Sequence, residues 1–175
     1  KPAPARPPPA PDAVSGATVG SVQSALAASW QDVAALEHAS IASFARFSLE
    51  LLALGAPPDL LVGAQRAAAD EIEHARIAYG LAGAYADRAL GPAPLDMRGV
   101  APASDVRAIV TALVAEACVG ETLGAAEARA LAGFVSDPVL AATYERIADD
   151  EGRHAELGWA TLAWLLRVGE GDLDD

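Results

Sequence analysis

Asp70-Glu71-Ile72-Glu73-His74-Ala75 and Asp150-Glu151-Gly152-Arg153-His154-Ala155 are one phrase, D-E-x-x-H-A, written twice in a chain that has only three histidines. Arg66 and Arg146 stand five residues ahead of the two glutamates, so the likeness extends beyond the phrase and marks two halves of an internal repeat. On a helix, residues i and i+3 share a face about 5 Å apart, so each Glu and His can reach one ion or a close pair of ions. A single E-x-x-H is ordinarily a solvated surface pair. Here Glu71 shares its face with Ala64, Ala67, Ala68, Ala75 and Ala78, and Glu151 shares its face with Ile147, Ala148, Ala155 and Gly158. Both carboxylates therefore leave the apolar face that enters the core, where an uncompensated charge costs several kcal/mol. Something positive has to meet them.

Working outward, the repeat sits on the second and fourth of four long helices. Apolar periodicity runs from about Ser21 through Trp30, Ile41 and Phe44 to Leu54, where Gly55 supplies a left-handed cap and Pro57-Pro58 follows. The second helix is expected from Pro58-Asp59 to about Leu90, before Gly91-Pro92. The stretch from Gly91 to Ala103 is broken by Pro92, Pro94, Gly99 and Pro102, and is long enough to return along a helix. The third helix starts at the Ser104-Asp105 cap and fades near Gly133 to Val135; the fourth runs from Ser136-Asp137-Pro138 to about Val168. Short loop, long crossover, short loop gives an all-α, up-down four-helix bundle with one long crossover between helices two and three. Residues 1–20, rich in Pro and Ala, read as a flexible tether, residues 21–168 as the bundle, and residues 169–175 as a loose acidic tail.

Two further carboxylates complete the set. Glu37 shares a face of the first helix with Val33, Ala34, Ser40, Ile41 and Phe44. The third helix offers Glu116 and Glu121; counted from the turn near Val135, Glu121 is level with Glu151 and His154, whereas Glu116 lies about 7 Å further along, so Glu121 is preferred. Around Glu121 stand Ala117, Cys118, Gly124, Ala125 and Ala128, small residues that leave space for ions and a small ligand. Four glutamates and two neutral imidazoles balance two divalent cations. One Glu from each of two helices plus Glu-x-x-His from each of the other two is the di-iron or di-manganese carboxylate pattern. His38, about 100° round the helix from Glu37, reads as an edge residue. Cys118 reads as a small buried hydrophobe, Tyr79 and Tyr144 as buried tyrosines, and Trp159 and Trp164 as core or interface packing, which leaves room for a homodimer.

Composition excludes other classes. Twelve Lys and Arg against 24 Asp and Glu give a net charge of −12, the wrong sign for nucleic acid or an anionic membrane. No run reaches about 18 consecutive apolar residues, so no membrane span is expected. One cysteine permits no internal disulfide, and the chain opens on Lys1, which leaves room for an upstream export signal; the compartment stays open between cytoplasm and export.

The stretch from Trp30 to Leu166 resembles the ferritin-like di-iron carboxylate superfamily, which includes rubrerythrins, bacterioferritins, ribonucleotide reductase small subunits and di-iron hydroxylases. Leu36-Glu37-His38-Ala39-Ser40, Val119-Gly120-Glu121-Thr122 and the two D-E-x-x-H-A phrases look most like bacterial ferritin-like domains that carry no assigned reaction. The resemblance implies that Glu37, Glu71, His74, Glu121, Glu151 and His154 hold two Fe ions, or Mn or a mixed pair, and form the catalytic set, with Glu71 and Glu151 as bridges. It further implies that Asp150 accepts the free N–H of His74, and Asp70 that of His154. O₂ or peroxide would be the reactant. With only Cys118 there is no Cys-x-x-Cys electron module, so reducing equivalents come from an external donor. Three readings follow: an oxidoreductase, ferroxidase or hydroxylase; an iron or manganese handling protein without turnover; and a metal-free structural bundle.

Overall fold

The computed structural model describes residues 12–98 and 100–171, with side chains from 19 to 98 and from 100 to 168. These residues are helical or connecting, with no strand among them. Helix α1 spans Asp12–Ala53. It begins well before Ser21, so the second half of the expected tether is helical; residues 1–11 lie outside the described residues. Gly55 takes φ 68°, and the Ala56 and Gly55 amides close back onto the Leu51 and Leu52 carbonyls at 3.0 and 3.2 Å. That left-handed turn satisfies the last carbonyls of α1 and delivers Pro58 to the first turn of α2, where its missing N–H costs nothing.

Helix α2 covers Pro58–Ala86 and stops a turn short of Leu90. Asp87 adopts φ 51°, and the Arg88 amide bonds to the Gly83 carbonyl at 3.2 Å. The chain then passes so close over α2 that a Cβ on Gly83 would lie 2.9 Å from the Arg88 carbonyl oxygen. The connection leaves beside Ala27 and Ala28 of α1. It ends beside Glu50, whose buried carboxylate accepts from the Ala103 amide at 3.0 Å, about 33 Å along α1.

A 29-residue helix, Val106–Phe134, follows. It divides into α3 (Val106–Leu113), capped by the Asp105 side chain, a π-helical segment (Val114–Gly120) and α4 (Glu121–Phe134). By length and composition it is apolar enough to cross a membrane, with a mean hydropathy of 1.5, and it alone passes that test among the described residues. In this fold it lies along α5 (Pro138–Gly171). Asp137 caps α5, accepting from the Val139 and Leu140 amides at 2.8 and 3.1 Å. Helix α5 continues past Val168 into the expected acidic tail; residues 172–175 lie outside the described residues.

Helix α1 packs along α2, α4 and the π segment along α5, and α2 against α5. Two apolar layers form the core. One gathers Phe44, Phe47, Leu51, Leu113 and Cys118 with Ala64 and Ala67. The other gathers Trp30, Ala34, Ala78 and Ala82, with Tyr79 and Tyr144 against them and the Trp30 and Tyr144 rings stacked at 5.7 Å. The acids and histidines of the repeat lie between these layers.

Candidate metal centre

Alanines let α2 and α5 approach closely enough for their repeated phrases to face each other. Glu71 and His74 are each 1% exposed, and His154 is 2% exposed. Two overlapping groups result: Glu37, Glu71, His74 and Glu151 in one, and Glu71, Glu121, Glu151 and His154 in the other, with one donor atom from each residue within 4.8 Å of the rest. Glu71 and Glu151 belong to both.

Each imidazole turns Nδ1 inward. That atom of His74 lies 3.3 Å from Glu151, 3.9 Å from Glu71 and 4.0 Å from Glu37. In His154 it lies 3.2 Å from Glu71 and 3.7 Å from both Glu121 and Glu151. Donor atoms about 2.1 Å from a common ion stand about 3.0 to 4.2 Å apart, from neighbouring to opposite positions, so these spacings fit two coordination shells. Three inward atoms, Nδ1 of His74, Nδ1 of His154 and Oε2 of Glu71, are buried without a hydrogen-bond partner. Buried polar atoms are rarely left so. They converge between the shared carboxylates, in a cluster that could hold a metal ion.

The outward Nε2 atoms are held crosswise. Asp150 on α5 lies 3.0 Å from His74 on α2, and Asp70 on α2 lies 3.3 Å from His154 on α5. These bonds fix both ring orientations and leave Nδ1 for the centre. Arg153, missed in the sequence because it reads as an ordinary exposed cation, reaches Asp70 at 3.4 Å and also pairs with Asp150. One guanidinium therefore ties both ring-holding acids together.

Electrostatics express the crowding. Burial raises the Glu37 carboxyl to about 8, helped by Glu71 and Glu151. Burial also raises Glu121 to about 8, with Glu151 adding and His154 opposing. For His74, burial disfavours the charged ring, but Glu151 and Asp150 outweigh it and push it up to about 9. In His154 the same opposition between burial and its neighbours Glu121, Glu151 and Glu71 ends at about 12. Glu151 goes the other way: burial is overcome by the two histidines, which hold it well below the usual carboxylate range. Protons thus crowd into the metal-free centre where cations fit.

Glu116 is 49% exposed on its side chain and pairs with Arg46 of α1. The third helix therefore brings Glu121, not Glu116, to the cluster. The depth count nonetheless assumed one regular helix. In the π segment the Glu121 amide bonds to the Glu116 carbonyl, five residues back, so the two acids stack on one side of the helix. On an α-helix they would diverge by about 140°. Nothing in the residue pattern signals this local widening. Close packing accompanies it: a Cβ on Gly158 would lie 2.9 Å from the Ala117 carbonyl carbon and Cβ.

Cys118 is fully buried in the first apolar layer, and burial pushes its thiol up. His38 is half-buried and belongs to neither group. Comparison with family models, with curated proteins and with solved structures finds no match for this chain.

Proposed function

We propose that this chain is a ferritin-like four-helix bundle, with residues 87–105 as its crossover, that holds a di-iron carboxylate centre and activates O₂ or peroxide with electrons from an external donor. The observation that carries the reading is the pair of overlapping Glu and His groups with three buried, partnerless atoms aimed between them. Glu37 and His74 would hold one ion, Glu121 and His154 the other, and Glu71 and Glu151 would bridge. Hard carboxylates with imidazole suit iron or manganese. A di-iron pair, when bound, supplies electrons for the reduction of O₂ or peroxide.

The chain's own residues set the conditions. Asp150 and Asp70 orient the rings, and Arg153 holds the two acids in register. The apolar layers on either side keep Glu71, His74, Glu151 and His154 buried, which strengthens the charge interactions among them. Glu37 and Glu121, less buried than Glu71, face an open groove that gives a small reactant a way in.

Anaerobic loading with Fe(II) is expected to give two irons per chain, and stopped-flow mixing with O₂ to oxidise both and produce a near-ultraviolet oxo-bridge absorption. Two irons that O₂ leaves reduced would replace this reading with metal handling. No bound iron or manganese would remove the metal centre altogether.

A further inference from the structure

Between α1 and the Val106–Phe134 helix runs a groove of about 530 Å³, within the size range of small-molecule sites. Its floor is lined by Glu37, Glu71, Glu121 and Glu151 and by neither histidine. Apart from that floor the lining is mainly apolar: Val33, Phe44, Phe47, Leu113, Leu131 and Ile147 form the walls. One end reaches Trp30 and Tyr144, and the other reaches Arg46, Glu50 and Glu116. These ends are about 24 Å apart along α1, from Trp30 to Arg46.

Charge decides the head group. Away from the floor the lining holds Glu50, Glu116 and Glu127 against a single cation, Arg46. Arg46 is paired with Glu116 in hydrogen-bond contact and stands 3.8 Å from Glu50, with its buried Nε making no hydrogen bond. An anionic head would meet uncompensated acids, so the aliphatic and aromatic walls suit a ligand without negative charge.

We infer that the groove binds an aliphatic molecule without negative charge, laid lengthwise so that its middle passes over Glu37 and Glu121. This rests on the proposed function for its purpose, since the chain would lie beside the metal pair, but not for the binding itself. The Arg46–Glu116 pair, placed by the π segment, lines one end, where it would bear on chain length.

The test uses metal-free full-length protein, the neutral fluorophore N-phenyl-1-naphthylamine as groove probe, and straight-chain alcohols as competitors. Displacement should saturate, with affinity rising about fourfold for each methylene from hexanol to decanol. Decanoate should compete at least about tenfold more weakly than decanol, since its charge must be buried among acids. Ser43→Phe and Ala112→Phe, which fill the groove from opposite walls, should each weaken decanol about tenfold or more, while Mn(II) stoichiometry stays at the wild-type value. Absence of saturable displacement, equal competition by decanoate, or indifference to both fillings would overturn the inference. Metal analysis of the same preparation separates the two failures: alcohol binding without metal capacity refutes the di-iron reading alone, and two metals without alcohol binding refute the groove assignment alone.

Discussion

Metal entry should expel about four protons from the centre at pH 7. Glu37 and Glu121 at about 8, His74 at about 9 and His154 at about 12 each hold a proton there in the metal-free protein. A bound cation requires carboxylates ionised and Nδ1 free, so each must give its proton up. Exchanging four protons for two divalent ions leaves the net charge of the buried centre unchanged, which makes the exchange tolerable between two apolar layers. At pH 8 the two glutamates are half ionised, and the number should fall to about three. Apparent affinity therefore rises steeply with pH near neutrality and less steeply above pH 8. Anaerobic calorimetric titration with Mn(II) in buffers of different ionisation enthalpy reads the proton number directly. Release of fewer than about two protons at pH 7, or a number that does not change between pH 7 and pH 8, would refute the crowding argument even if metal binds.

Further outcomes follow from the same geometry. Stability of the metal-free protein should fall as pH rises from 6 to 9, because groups with raised pKa values stabilise the fold at low pH and lose that contribution on passing through about 8 for the glutamates and about 9 for His74; thermal melts of metal-free and Mn(II)-loaded protein across this window check it, with the loaded form much flatter. Glu121→Gln should lower metal occupancy, whereas Glu116→Gln should leave two ions per chain, read by elemental analysis after desalting. Arg153→Gln should weaken metal binding about 10- to 100-fold through Asp70 and Asp150 while changing urea stability by less than about 1 kcal/mol, since the guanidinium is mostly solvent-exposed. Gly158→Val should cost about 1 to 3 kcal/mol in urea unfolding, because even its Cβ overlaps Ala117.

The helices and the meeting of the six acids and histidines were legible because each rests on a strong local rule. Gly55 followed by two prolines can only end a helix and start another, and an acid repeated on an alanine face has to meet its counterpart across the core. Boundaries were less legible where tertiary contact decides them. Helix α2 stops at Ala86 because the returning chain lies on Gly83, a contact that no window of residues around Leu90 reveals. Glu50 carries no local signal, because its role lies with a distant amide, that of Ala103.

The π segment is the deeper case. Choosing Glu121 over Glu116 by counting turns treats the third helix as regular, so the two acids come out as alternatives for one role. The extra residue in the turn instead gives them separate roles on one side of the helix, Glu121 at the centre and Glu116 across from Arg46. Such a turn survives only where packing favours it over the regular register, and here Gly158 lets the backbone of α5 come within contact of Ala117. A bulkier residue at position 158 would press the segment away, and regular α-helix would be its nearest alternative. Glu116 would then swing away from Arg46 and reshape that end of the groove, with Glu121 still anchored by His154. Gly158→Ala should accordingly disturb alcohol chain-length preference more than metal stoichiometry, and the opposite ranking would show that the π turn serves the metal centre rather than the groove.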